Sequence, residues 1–294
     1  MNNPLHKYLF SSLQYQEDEI LSGFVNKIKE QYADAVISII FYGSCMRTRE
    51  YEDAILDFYV VVDAYRNAYK NRWLSIANTI LPPNVFYLQV TIGNEVYRSK
   101  YAIISSKALM KKVSSRAFHS YFWARFTQPF GYLYLRNEQD RNWLAQIQEN
   151  AVITFYNKVS ASLGNDMSSR DFWIKGFELT YLSELRAESG NRAHYIYNAN
   201  ASYYDQVFKF LPASNNTGHR SLFVWKLRMI LGKFLSVMRL LKATTTFTDG
   251  VDYIAWKIER HTGEKLEVSD NLKKYPWIFL WPVLLKLILS KSVR

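Results

Sequence analysis

Short apolar runs dominate the first hundred residues, and helix-spaced apolar positions dominate the rest of the chain. Leu21 to Tyr32 is amphipathic with helical period, so it predicts a surface helix. Ala35 to Tyr42 (AVISIIFY) is a continuous apolar run that stops at a glycine, the pattern of a buried strand entering a turn. Ile55 to Val62 (ILDFYVVV) is β-branched and aromatic, a second strand. Ala64 to Ile80 predicts one helix, stopped by Pro82-Pro83. Asn84 to Thr91 and Lys100 to Ser105 predict two more strands. Beyond Ser106 the pattern turns helical, with Asp140–Lys158 and Asp171–Glu188 as the clearest spans. Residues 213–218 (ASNNTG) read as a loop, and Leu222–Lys242 as a basic helix without acids.

This order predicts an α+β protein: a mixed-sheet head over 1–135, a helical middle over 136–215 and a basic C-terminal region over 216–294. The chain has 294 residues and 49% apolar content, enough for a real core. With 21% charged residues, 11 glycines and 7 prolines, it is neither a disordered chain nor a collagen-like one. A single cysteine excludes a disulfide framework and a multi-cysteine zinc site.

The net charge of +11 is uneven. Residues 220–294 hold 14 basic and 6 acidic side chains, a local excess of +8. Such an excess speaks of anionic partners rather than of fold. The basic residues are interleaved with large apolar ones, which suits an anionic membrane surface better than nucleic acid. Pro276 to Leu289 is the most apolar stretch, but it is shorter than the ~20 residues of a spanning helix and is broken by Pro282 and Lys286. It reads either as a segment lying on a membrane or as a strap on the protein's own core.

The candidate chemistry sits between the first two strands. A buried strand followed by Gly43-Ser44 lets backbone N–H groups and a hydroxyl approach a phosphate. Asp57, on the next strand, is placed to hold Mg²⁺ against that phosphate. The bland alternative is a plain turn beside a strand-end carboxylate. Nucleotidyltransferases commonly carry acid-x-acid at this position, whereas this chain reads Asp57-Phe58-Tyr59. Asp63 is the first choice for a second metal ligand, with Glu52 and Asp53 as the other nearby acids.

The string FYGSCMRT…ILDFYVVVD resembles the mitochondrial translocator assembly and maintenance family of CDP-diacylglycerol synthases, particularly its bacterial-type members. Lys100-Tyr101-Ala102-Ile103-Ile104-Ser105, Tyr121 to Pro129, and Glu184-Leu185-Arg186 through Asn191-Arg192 resemble later elements of that family in order. The resemblance spans roughly Ala35 to Leu211 and departs at Ala102 and Gln128. It implies a nucleotidyltransferase head, a winged-helix-like middle and a membrane-associating C-terminal helix. It also implies the reaction of CTP with phosphatidate, with Mg²⁺, at the cytoplasmic face of the inner (plasma) membrane. In that scheme Asp57 and Asp63 bind the metal and Gly43 and Ser44 cradle the nucleotide phosphates. Lys100 and Arg125 neutralise developing charge, and Arg186 and Arg192 reach the same cleft. Two rival readings are a soluble nucleotidyltransferase acting on a small molecule, protein or RNA, and an inactive membrane-binding scaffold.

Overall fold

The computed structural model describes residues 3–163, 167–184, 191–212 and 221–246. The protein is a mixed α+β structure built on one five-stranded sheet, with strand order β3-β4-β2-β1-β5. The strands are β1 (Val36–Tyr42), β2 (Ile55–Val62), β3 (Asn84–Ile92), β4 (Glu95–Ser105) and β5 (Gly131–Leu135). β1 runs antiparallel to both β2 and β5, β3 runs antiparallel to β4, and β2 runs parallel to β4. All four strands read from the sequence form, β3 and β4 longer than expected. Fully buried Ile39, Val60, Val61 and Ile103 explain their continuous apolar runs.

Successive strand side chains point to opposite faces, and the two faces build two cores. One face carries Phe41, Phe58, Val60 and Tyr101, covered by α2 (Glu19–Tyr32) through Phe24 and Ile28. The other carries Ile40, Tyr59, Val61, Ala102 and Ile104, and merges without a break into the core of the helices. Those helices include α1 (Pro4–Ser12), α6 (Ser106–Val113), α7 (Trp123–Phe126), α8 (Gln139–Ser160) and α9 (Ser169–Leu182). Trp123, Phe155, Trp173 and Tyr204 fill the centre, with Phe155 and Trp173 rings 5.1 Å apart. Sheet and helical middle thus share one hydrophobic cluster across residue 135. Among the described residues no strand follows β5, so the middle is purely helical there.

The helix expected over Ala64–Ile80 is two helices, α4 (Tyr65–Ala68) and α5 (Arg72–Ile80). Tyr69 turns extended and buries its ring, and Asn71 caps the second helix by accepting from the Trp73 N–H at 2.9 Å. α3 (Ser44–Thr48), α10 (Arg192–Ala199) and α11 (Ala201–Lys209) complete the frame around the site.

The basic helix α12 (Ser221–Thr246) lies with its charges partly inward. Arg228 is 3% exposed; its Nε donates to the Phe118 carbonyl at 2.7 Å and its guanidinium covers the Trp225 ring at 4.2 Å. Arg239 donates to the Pro82 carbonyl at 3.1 Å, and Lys242 to the carbonyls of Leu81 and Pro83. The outward face instead shows Phe223, Leu227, Ile230 and Phe234, with Lys226 and Lys233 among them. No helix among the described residues is long and apolar enough to cross a membrane. Pro276–Leu289 lies outside the described residues.

α12 docks at Gly232, where a Cβ would meet the Ser183 carbonyl oxygen at 2.0 Å and His119 Nε2 at 2.7 Å. Backbone cannot yield as a flexible side chain does, so Gly232→Ala is expected to cost about 1–3 kcal/mol of stability. Urea unfolding should show a lowered midpoint at unchanged slope; an unchanged midpoint would mean that the helix is not held at this contact.

Candidate functional site

β1 delivers the chain into Gly43 at φ +93°, a conformation that a side chain strains. A Cβ there would also sit 2.9 Å from Asp57 Oδ2. Only glycine brings this turn so close to the carboxylate. Ser44 follows, exposed, as the first residue of α3. Beneath it Cys45 is buried and its thiol donates to the Ile55 carbonyl at 3.5 Å. Burial, with the Asp57 charge adding to it, raises the thiol pKa, so Cys45 is a protonated packing group and not a nucleophile. Met46 Sδ accepts the Gly131 N–H at 3.1 Å, clamping α3 to β5.

Asp57 lies directly across from Tyr42 on one side and beside Lys100 on the other. Lys100 Nζ is 3.1 Å from Asp57 Oδ1, and the side chains keep 46% and 21% of their exposure. A pair this open contributes little stability. It places an ammonium beside the carboxylate, partly open to solvent near the Gly43 turn.

Arg125 takes a different place from the one expected of it. Its Nη2 donates to Glu184 Oε2 at 3.0 Å, and its guanidinium stacks on Tyr121 at 4.1 Å. Arg239 covers the same ring, also at 4.1 Å. With Ile40, Tyr42, Tyr59, Phe126 and Phe130, Arg125 lines a cavity of only about 10 Å³, room for one water at most. Tyr42 stands between Arg125 and Asp57; burial, with the Asp57 charge, pushes its phenol pKa well up, so it stays neutral. Arg125 thus ties α7 to Glu184, just past α9, and its charge is engaged by Glu184 and Tyr121 although its side chain keeps 23% exposure. Removing it would take one hydrogen-bonded cation from the buried Glu184 carboxylate and should destabilise the fold.

Arg192 is linked to α3 through a shared ring and a residue that the sequence pattern left without a role. Arg47 lies three positions after Ser44, on the same face of α3. Its guanidinium lies over the Tyr195 ring at 5.6 Å, and Arg192 lies over the same ring at 5.0 Å. Tyr195 remains 44% exposed. The helical layer thus meets α3 through two guanidiniums on one ring. The i+3 spacing from Ser44 was the available signal for Arg47. Arg186 lies outside the described residues.

The expected pair of metal ligands does not assemble. Asp63 follows the far end of β2, six positions from Asp57 and about 20 Å away along a strand. There it accepts from the Ala64 N–H at 2.5 Å and from Asn67 Nδ2 at 2.9 Å. Two carboxylates so far apart cannot share one ion, so Asp63 is a turn residue. Tyr59, at the acid-x-acid position, is 2% exposed in the core. Glu52 and Asp53 line a cleft of about 400 Å³ with residues 94–98, whose Arg98 pairs with Ile55 two positions along the strands from Asp57 and Lys100. Among the described residues no cluster of three His, Cys, Asp or Glu is placed to hold a metal. The donor set at the Gly43 turn is a single carboxylate, Asp57, paired with Lys100, so Mg²⁺ held there would take its remaining ligands from substrate phosphates and water.

His119 is a packing residue. Its Nδ1 accepts the Tyr121 N–H at 3.1 Å, and burial, reinforced by Arg239, lowers its pKa to about 4. An unfolded chain protonates this imidazole near its ordinary value of 6.5. Above pH 6.5 both states are neutral; between 6.5 and 4 the unfolded state takes the proton first, so stability falls as pH falls through that window. The loss is about 3 kcal/mol as an upper bound. His119→Gln should flatten the stability profile between pH 6.5 and 4; an unaltered profile would mean that the imidazole titrates normally in the folded protein. Gly43→Ala combines a strained φ with the 2.9 Å approach to Asp57 Oδ2. It should cost about 1–3 kcal/mol, seen as a lowered urea midpoint; an unchanged midpoint would mean that the turn accommodates a side chain beside Asp57.

No family model matches the chain, and no curated protein matches it. Among solved structures it is similar to a nucleotidyltransferase-like protein from Exiguobacterium sibiricum, at 9% identity over 91% of this chain and 90% of that one, with a TM-score of 0.27. A likeness that slight carries no residue assignments. The CDP-diacylglycerol synthase resemblance stands on the sequence motifs alone.

Proposed function

We propose that the protein is a nucleotidyltransferase that works at a lipid surface, with CTP as nucleotide donor and phosphatidate as acceptor. The observation that carries the reading is the Asp57–Lys100 pair, 3.1 Å apart at a glycine turn that no other residue could make. CTP and phosphatidate are the substrates that the family resemblance adds. A lipid acceptor is supported by α12, whose outward face shows Phe223, Ile230 and Phe234, at 67%, 69% and 59% exposure, with no acid anywhere in the helix.

In this reaction an oxygen of the lipid phosphate attacks the α-phosphorus of the nucleotide. A new P–O bond forms, the α–β bridging P–O bond breaks, and pyrophosphate leaves with the electron pair. The nucleophile is already an anion at neutral pH, so no strong base is required. The protein's task is positioning and charge neutralisation. The Gly43 turn admits the phosphates close to the backbone, and Lys100 supplies positive charge where the leaving group develops its negative charge. A second reading, nucleotide binding without transfer, is favoured by one observation: the lone carboxylate is already neutralised by Lys100.

Labelled CTP mixed with phosphatidate vesicles should place label in the lipid phase, and Lys100→Met should slow this by about a hundredfold. Label that never leaves the aqueous phase while CTP still binds would select the second reading. Ile230→Asp with Phe234→Asp should cut co-sedimentation with phosphatidate-containing vesicles by about tenfold. Unchanged co-sedimentation would take α12 out of membrane contact.

A further inference from the structure

We infer that a second site, a basic pocket where α6 gives way to the loop before α7, binds the phosphate group of an anionic ligand through Lys111, Lys112 and Arg116. The inference does not rest on the transferase reading, since none of Gly43, Asp57 and Lys100 lines this pocket.

The pocket has a volume of about 170 Å³ and is lined by Lys111, Lys112 and residues 116–119. Sites that enclose drug-sized molecules run from about 300 to 1,000 Å³, so this one suits a phosphate group and not a whole nucleotide. Three of its six lining side chains are cations and none is an acid. Further positive charge stands close by. Lys158, on α8, donates from Nζ to the Ser115 carbonyl at 2.9 Å. Burial, then the charges of Arg239 and Lys111, lower the pKa of the Lys112 ammonium. The carboxylate whose charge reaches His119 and Arg239 is Glu184, and it already accepts from Arg125 at 3.0 Å. Among the described residues no ion pair joins Lys111, Lys112 or Arg116 to an acid.

The end of α6 accounts for part of this charge. Lys111 and Lys112 lie in its last turn, where cations suit the helix dipole. Arg116, Lys158 and Arg239 come from outside that helix, so the dipole does not explain their convergence. Like charges gathered in a partly buried place repel one another, and an anion set among them removes the repulsion. Phosphate is the anion these donors match: the planar Arg116 guanidinium takes two of its oxygens at once, and the ammoniums take the others.

Such a phosphate has two sources. α12 borders the pocket, with Arg228 donating to the Phe118 carbonyl and Gly232 packed at His119. The same helix carries the exposed Phe223, Ile230 and Phe234, so the headgroup of an anionic lipid is one source. Free phosphate in solution is the other.

Two measurements on the full chain at low salt separate them. One is calorimetric titration with inorganic phosphate; the other is co-sedimentation with phosphatidylcholine vesicles, with and without phosphatidate. Lys111→Gln with Arg116→Gln removes two cations at exposed positions, where the fold has little at stake. Lys226→Gln with Lys233→Gln removes the same charge from exposed positions of α12 and is the control. The pocket variant should weaken phosphate binding by about tenfold, and the control should leave it unchanged. With a lipid source, phosphatidate-dependent co-sedimentation should also fall by about tenfold in the pocket variant and by less in the control, whether or not free phosphate binds measurably. With a soluble source, phosphate binding falls and co-sedimentation stays. Equal losses in the two variants would reduce the pocket to general surface charge, and no loss in either measurement would remove it; either result overturns the inference.

Discussion

The parallel register of β2 against β4 puts Asp57 beside Lys100, and everything proposed for the site depends on that alignment. The same register places Tyr59 beside Ala102 and Val61 beside Ile104, all facing the helical layer. A slip by one residue would turn Asp57 into the opposite core and expose Phe58. Fully buried Phe58 and Val60 make such a slip very costly. Core packing and site geometry are thus one constraint: the alternation that seats β2 also puts the carboxylate on the face of the helical layer, near the strand's start, where its side chain stays 21% exposed.

The helical layer is tied to that sheet by aromatic rings and guanidiniums. Tyr121 carries Arg125 on one contact and Arg239 on the other, joining α7 to α12. Tyr195 carries Arg47 and Arg192, joining α3 to α10. Ring faces attract cations and leave the guanidinium edge available for polar partners. At Tyr121 one such edge meets Glu184, so that contact is structural. At Tyr195 the ring is partly open, and the same type of contact ties α3 to the helical layer. The aromatic richness of the chain serves its core first, and the orientation of its cations second.

Much of the sheet was legible in the sequence because buried strands write themselves as continuous apolar runs, as in Val36–Tyr42 and Ile55–Val62. Gly43 was legible for a different reason: a glycine after such a run marks a backbone position closed to side chains. β5 was not legible, since Gly131–Leu135 is short and gains its place only by pairing with β1. The break between α4 and α5 was hidden because Tyr69 looks like a helix residue until its ring is needed in the core. The errors at the site have a common cause. Sequence spacing put Asp63 near Asp57, but a strand carries its two ends apart. It also left Lys100 as a separate cation, because a partner 43 positions away is set by strand pairing and not by local pattern. Arg125 read as phosphate-facing and Arg239 as surface-facing; one ring, Tyr121, carries both, and Glu184 and the Pro82 carbonyl, distant in sequence, complete their contacts.

If a polyphosphate lies on Lys100 beside the Gly43 turn, a crystal structure of the protein with a non-hydrolysable CTP analogue will show it there. Phosphate oxygens should lie within hydrogen-bonding distance of Lys100 Nζ and the Gly43 turn. A nucleotide bound elsewhere, with the Asp57–Lys100 pair undisturbed, would contradict this picture of the site.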